Sequence, residues 1–391
     1  MGESPKLAQM IWPRSMVRGL QPQDFVSRFT ALEKNAMLEM QNKTVNYRVF
    51  AGTWNVGGVS PPDDLELEDL LDTKADSYDI YVLGFQEIVS LNARNVLGPK
   101  KRSASIKWNS LIGGALNNRG RRQVGGEAMS RGRGDEAALL QEQGMFRCVM
   151  SKQMVGIFVS VWARSGLRRH VSHAAVSCVG AGVLGRLGNK GAVSVRFLLH
   201  GTSFCFVCCH LASGSEDGDA LLRNADAASI LSRTSFRHRR SRCPRRYSTM
   251  SRSSDRVVLL GDLNYRIAMD AGEARQLVTA KKWSMLLEND ELLLELCKGR
   301  QFDSWREGAV TFPPTYKYHR DSDRFYWCVD HGSATAAGDK QHRAPAWCDR
   351  VLWRGKGMKQ IRYERCGGYR LSDHRPVRAV FHTVCEVPEG Y

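Results

Sequence analysis

Short runs of β-type residues recur along this chain, at 47–50, 80–83, 155–162, 192–199, 204–209, 257–260, 351–353 and 377–381, and several are apolar on both faces. A strand that is apolar on both faces can only sit inside a sheet covered on both sides. Helical spacing of apolar residues at 219–231, 274–287 and 290–296 supplies elements to do the covering. The fold class that follows is mixed α/β. With 391 residues, 42% of them hydrophobic, the chain has enough apolar side chains for one large core.

Composition narrows the function classes. No run reaches the roughly 18 apolar residues of a spanning helix, and residues 1–23 lack the apolar stretch of a secretory leader. Cytoplasm is therefore the expected location, with the nucleus left open. Met1-Gly2 is followed by Lys6 where a myristoylation signal needs Ser or Thr. The eleven cysteines repeat no zinc-finger spacing, and Cys205, Cys208 and Cys209 lie in an apolar stretch, as buried reduced thiols do. A net charge of +17 favours polyanionic partners: nucleic acid, an anionic membrane or a phosphorylated small molecule. Eight of the arginines fall in 237–256 with one acid, Asp255. Self-repulsion makes that stretch a flexible insertion with a possible role in peripheral membrane contact. A second Gly- and Arg-rich insertion is expected near 117–136. Apolar segments resume after each, so both belong to one domain, 45–386, behind an N-terminal extension of 1–44.

Polar residues recur just past or just before the strands: Asn55, Gln86 and Glu87, His210, Asp262 and Asn264, Asp373 and His374. One such residue is a turn former; the recurrence describes a site assembled from strand ends. Phosphate-ester hydrolysis asks for a hard cation, an oriented water, a proton acceptor and donors for the transition-state charge. Mg²⁺ takes oxygen ligands and keeps several waters, so Glu87 and Asn55 suffice to hold it. Asp262 is a candidate base, and two-residue spacing on an extended chain turns Asn264 to the same side, one positioning water while the other holds phosphate. His374 held by a carboxylate, for which Asp349 is the choice, stays protonated near neutral pH.

These residues lie in strings that resemble the inositol polyphosphate 5-phosphatases, in wording most similar to the plant members. The strings are Thr53-Trp54-Asn55-Val56-Gly57-Gly58, Gly84-Phe85-Gln86-Glu87-Ile88, Gly188-Asn189-Lys190-Gly191 and His210-Leu211-Ala212. They continue with Gly261-Asp262-Leu263-Asn264-Tyr265-Arg266-Ile267, Pro314-Thr315-Tyr316-Lys317, Pro345-Ala346-Trp347-Cys348-Asp349-Arg350 and Ser372-Asp373-His374-Arg375-Pro376-Val377. The resemblance implies two packed β-sheets flanked by helices, a four-layer sandwich similar to deoxyribonuclease I. It implies Glu87 as principal Mg²⁺ ligand beside Asn55, Asp262 and Asn264 handling water and phosphate, and Asp349 orienting His374. It further implies Asn189, Lys190 and His210 near the scissile phosphate, Arg266 as a substrate-binding residue, and Tyr316, Lys317 and Arg343 near a neighbouring 4-phosphate. Gln341 stands where relatives often carry a basic residue, with Lys340 adjacent.

The implied substrate is a soluble inositol phosphate or a phosphoinositide lipid. A nuclease of the same superfamily also suits the positive charge, but Tyr265-Arg266 and the Trp347-Cys348-Asp349-Arg350 string argue against it, and nucleic acid is not expected as a partner. A phosphoinositide-binding scaffold with a dead site would not keep Asn55, Glu87, Asp262, Asn264, Asp349 and His374 together. Trp54 and Trp347 are expected in the core, and Gly57-Gly58 and Gly113-Gly114 in turns.

Overall fold

The computed structural model describes residues 43–74, 78–98, 102–124, 145–182, 185–216, 218–237, 247–249, 256–327 and 344–387. Val45–Cys385 form one compact unit. Its strands, in chain order, are β1 (Lys43–Asn55), β2 (Ile80–Gln86), β3 (Phe146–Met154), β4 (Ile157–Arg164), β5 (Val171–Gly180), β6 (Gly191–Leu199), β7 (Thr202–His210), β8 (Ser235–Arg237), β9 (Tyr247–Thr249), β10 (Arg256–Asp262), β11 (Arg306–Glu307), β12 (Asp349–Arg354), β13 (Met358–Arg365) and β14 (Val377–Val387).

They build two six-stranded sheets, ordered β13-β14-β1-β2-β4-β3 and β11-β12-β10-β7-β6-β5. Both sheets are mixed. β1 pairs with β2 and β7 with β10 in parallel, while β12 runs antiparallel to β10. Strand alternation explains why the central runs are apolar on both faces. Val49 and Ala51 of β1, Val82 of β2, Phe206 and Cys208 of β7, Leu260 of β10 and Val351 of β12 fill the layer between the sheets. Their neighbours face outward into two further clusters. Phe50, Trp54, Tyr81 and Phe85 pack with Trp108 and Ile112 of the helix Ser103–Val124. Val207 and Leu259 pack with Ala227 and Ile230 of the helix Asp219–Arg233. Gly84 lets the sheets close together, since a Cβ there would sit 2.8 Å from Cys208 Sγ.

Three expectations are corrected. Residues 117–124 are not a loop: the helix Ser103–Val124 runs through them. Packing of Trp108, Ile112 and Leu116 drives it, and Asn117 ties it to β3 by donating to Phe146 O (3.1 Å) and accepting from Phe146 N (2.8 Å). Gly113-Gly114 lie inside this helix rather than in a turn, and Gly113 leaves room for Trp162, whose ring would meet a Cβ at 2.9 Å. Of the arginine-rich stretch, Arg237 closes β8, Tyr247–Thr249 form β9 beside it and Arg256 opens β10, where it is buried and donates to Val384 O (2.5 Å); residues 238–246 and 250–255, like 125–136 of the other insertion, lie outside the described residues. The expected helix over 274–287 is two, Ala271–Thr279 and Trp283–Leu287, broken where Lys281 takes a positive φ of 54°. Gly57 and Gly58 do turn, with φ of 59° and 73°. Trp54 and Trp347 are fully buried, donating to His374 O (3.3 Å) and Phe312 O (2.9 Å).

Candidate active site

The inward-facing row of each central strand turns polar at one end. After Val49 and Ala51 the same face of β1 carries Asn55, after Val82 that of β2 carries Gln86, and after Phe206 and Cys208 that of β7 carries His210. Asp262 follows Val258 and Leu260 on β10, and Asp349 precedes Val351 on the antiparallel β12. The site is thus one open end of the layer between the sheets. Register fixes its centre: Asp262 pairs with His210 on one side and with Asp349 on the other, and His210 pairs with Gly191, which follows Asn189-Lys190.

Asn55 joins the two sheets here. Its Nδ2 donates to Asp262 Oδ2 (2.8 Å) and to Glu87 Oε1 (3.3 Å), and its Oδ1 accepts from Gly57 N (2.9 Å). The Gly57 N–H settles which end of the amide faces the carboxylates. Glu87 leaves β2 with a φ of 53°, a conformation rare for a side chain of its size, which swings its carboxylate toward the opposite sheet. His210 Nε2 lies 3.3 Å from Asp262 Oδ2, 3.8 Å from Glu87 Oε1 and 2.6 Å from Lys190 Nζ. Burial, and then Lys190, pull the His210 pKa down and favour the neutral ring. Burial also lowers Lys190, against the pull of Asp262 and Glu87.

His374 donates from Nδ1 to Asp349 Oδ2 (2.8 Å), which also accepts from Thr315 Oγ1 (2.7 Å). That bond aims Nε2 toward Asp262 Oδ2, 3.9 Å away. Burial alone would lower the His374 pKa, but Asp349 and then Asp262 raise it to about 9. Burial alone would raise Asp262, but His374, His210 and Lys190 outweigh it and hold the carboxyl well below the usual range. At neutral pH the pair is imidazolium beside carboxylate.

A hard cation needs an oxygen donor that solvent can reach. Asp262, Asp349 and His374 lie within 4.8 Å of one another. However, Asp349 and His374 are spent on each other, and a protonated imidazole is no ligand. The Glu87 side chain is 28% exposed against 2% for Asp262, so the fit is at Glu87.

Residues 52–380 match the family model described as endonuclease/exonuclease/phosphatase family 2. Type IV inositol polyphosphate 5-phosphatase 9 of Arabidopsis thaliana is 50% identical to this chain, over 89% of it and 81% of the relative. The chain belongs to the inositol polyphosphate 5-phosphatase family. Type I inositol polyphosphate 5-phosphatase 8 of the same plant is 44% identical, over 86% of this chain and 71% of the relative. Among solved structures, the inositol polyphosphate 5-phosphatase domain of SPsynaptojanin, in complex with inositol (1,4)-bisphosphate and a calcium ion, is 27% identical. Its TM-score is 0.73, over 94% of this chain and 92% of that one. Cimex nitrophorin, 18% identical with a TM-score of 0.59 over 87% of this chain and 99% of its own, shares the fold alone. The fold therefore does not choose the chemistry; the strand-end residues do.

Of the residues expected in a 5-phosphatase site, Asn55, Glu87, Lys190, His210, Asp262, Asp349 and His374 converge directly. Asn264 does not continue the extended chain as expected, since β10 ends at Asp262 and Asn264 takes a φ of 58°; it joins through its N–H to Asp262 Oδ1 (3.1 Å). Tyr316 lies 4.6 Å from the His374 ring, and Lys317 Nζ stands 4.2 Å from the Tyr326 ring centroid and 6.0 Å from that of Tyr316. Asn189 Oδ1 is buried without a hydrogen-bond partner among the described residues. Arg343, like Lys340 and Gln341, lies outside the described residues. Thr315 was not anticipated; its place in the Pro314-Thr315-Tyr316-Lys317 string was the available signal.

Proposed function

We infer that this protein hydrolyses the 5-phosphate of inositol polyphosphates or phosphoinositides, such as inositol 1,4,5-trisphosphate and phosphatidylinositol 4,5-bisphosphate, with Mg²⁺ as cofactor. The observation that carries this reading is Asp262 set in register between His210 and Asp349, with Asn55 bridging it to Glu87 on the other sheet.

Glu87 would hold the Mg²⁺, with Asn55 fixing the Glu87 and Asp262 carboxylates through Nδ2 while its oxygen is turned to Gly57 N; the ion would supply neutralisation of charge on the phosphoryl oxygens. Asp262 orients the attacking water and takes its proton. One water is consumed, the bond between phosphorus and the inositol 5-oxygen breaks, and the products are an inositol hydroxyl and inorganic phosphate. His374, held as imidazolium by Asp349, faces the charge that develops, and Lys190 adds a second cation. Asn264 offers an amide N–H to a phosphoryl oxygen. Tyr316 and Lys317, with Arg343, take a 4-phosphate next to the bond being cut. The arginine-rich stretch near 237–256 attracts an anionic membrane, which presents the lipid form of the same headgroup.

Phosphate release from inositol 1,4,5-trisphosphate, titrated with Mg²⁺, tests the metal assignment. Glu87→Gln is expected to abolish metal-dependent turnover; wild-type activity at low Mg²⁺ would remove Glu87 from this role.

A further inference from the structure

Arg266 is 8% exposed, and its guanidinium is occupied on every nitrogen. Nε donates to Gly214 O (3.2 Å), Nη1 to Cys348 Sγ (3.4 Å) and Nη2 to Asn264 Oδ1 (3.0 Å), and the group lies 4.7 Å from the Tyr316 ring centroid. With three of its five N–H donors engaged in this way, the side chain is held in place before any ligand arrives. What it fixes is the Asn264 amide, whose Nδ2 donates to Leu211 O at 3.1 Å. With Oδ1 accepting from Arg266 and one Nδ2 hydrogen spent on Leu211, the amide has one orientation, and its second Nδ2 hydrogen remains for a phosphoryl oxygen. Were the amide reversed, it would turn a lone pair toward that oxygen.

A second buried arginine stands behind the first. Arg223, fully buried on the inner face of the helix Asp219–Arg233, donates from Nη1 to the same Gly214 O (3.2 Å) and from Nη2 to Glu291 Oε2 (2.7 Å). Glu291 Oε2 also accepts from Arg266 N (2.8 Å), and Glu291 N donates to Arg266 O (3.0 Å). The two arginines thus share two acceptors in a closed ring. The same helix holds both neighbouring loops, Asn224 Oδ1 accepting from Tyr265 OH (2.6 Å) and Asp226 Oδ2 from Ala212 N (3.0 Å).

We propose that Arg223 is a positioning residue for the hydrolysis: through Gly214 O and Glu291 it sets Arg266, and Arg266 sets the Asn264 amide against the phosphoryl group. The proposal rests on the reading of Asn264 as a phosphate-handling residue. A buried Arg–Glu pair can also be mere scaffolding, whose loss destabilises the fold without touching turnover.

A double-mutant cycle separates the two. With inositol 1,4,5-trisphosphate and Mg²⁺, kcat and KM are measured for Arg223→Ala alone, Arg266→Ala alone and both together, alongside thermal unfolding. Arg223→Ala is expected to lower kcat roughly threefold to a hundredfold with little change in KM, and to change kcat less than about twofold once Arg266 is alanine. An equal fold-loss in both backgrounds, or a kcat unchanged by Arg223→Ala, overturns the proposal. If Arg223→Ala does not fold, Arg223→Met, which keeps the side chain's bulk and removes both donors, is put through the same cycle and judged by the same pattern. Asn264→Ala is the control for the underlying reading. If it leaves kcat intact, the role of Asn264 fails; if it lowers kcat while the cycle shows no coupling, the role of Arg223 alone fails.

Discussion

His210, Asp262 and Asp349 stand on three hydrogen-bonded strands in a register that leaves no freedom of position, whereas Tyr316 and Lys317 lie on a loop tied to the sheet region by isolated bridges. The first group is buried to within about 1% and bonded to its neighbours. In the second, Lys317 is steered by aromatic rings, Tyr326 at 4.2 Å and Tyr316 at 6.0 Å. The contrast teaches a division of labour. Bond cleavage needs tenths of an ångström and is built where the backbone ladder supplies them. In the function proposed above, recognition of a second phosphate falls to the loop, where side chains can change without disturbing the chemistry.

Breaking the centre should affect all substrates alike. Asp262→Asn, whose amide cannot accept a proton, is expected to lower kcat by about 10² to 10⁴ on a 4,5-bisphosphate and on a 5-monophosphate alike. A loss under about threefold would deny Asp262 the base role. Breaking the edge should discriminate. Lys317→Ala is expected to cut efficiency on the 4,5-bisphosphate by about tenfold to a hundredfold, from a charge-assisted contact of roughly 1.5 to 3 kcal/mol, and to leave the 5-monophosphate nearly unchanged. Equal losses would move Lys317 to the scissile phosphate or to the fold. Tyr326→Ala sharpens this further: removing one cation–π partner should cost about twofold to fivefold on the 4,5-bisphosphate alone, with Tyr326→Phe restoring most of it.

The pH profile tests the centre by its charge. His374 has a folded pKa of about 9 against an ordinary 6.5, so its stabilising contribution is complete below about 6.5 and is lost as pH rises through about 9. Turnover should fall on that same alkaline limb, halving near pH 9, with both substrates following one curve. A profile flat through pH 10 would show that the imidazolium is not required.

The same contrast explains what was legible in the chain before its fold was known. Central strands such as β7 and β10 announce themselves because both faces are covered, and the polar residue closing each inner row marks the site. The strands β3, β5 and β13 were not legible, because they are largely half-buried and polar residues interrupt their apolar ones, with charged residues added in β3 and β13. The helix Ser103–Val124 was hidden by its glycines and its basic end; its packing against Trp162 overrides local propensity. Arg266 enters the sequence reading as a substrate-binding residue through the family resemblance alone. Only the folded structure shows its hydrogen bond to Asn264 and its acceptors shared with Arg223, because nothing in spacing links it to Arg223 or Glu291.

The most direct test of the central claim is the position of the phosphate removed. Incubated with inositol 1,4,5-trisphosphate and Mg²⁺, the protein should yield inositol 1,4-bisphosphate and inorganic phosphate, and chelation of the metal should stop the reaction. Loss of the 1- or 4-phosphate, or undiminished release with the metal chelated, would contradict the account.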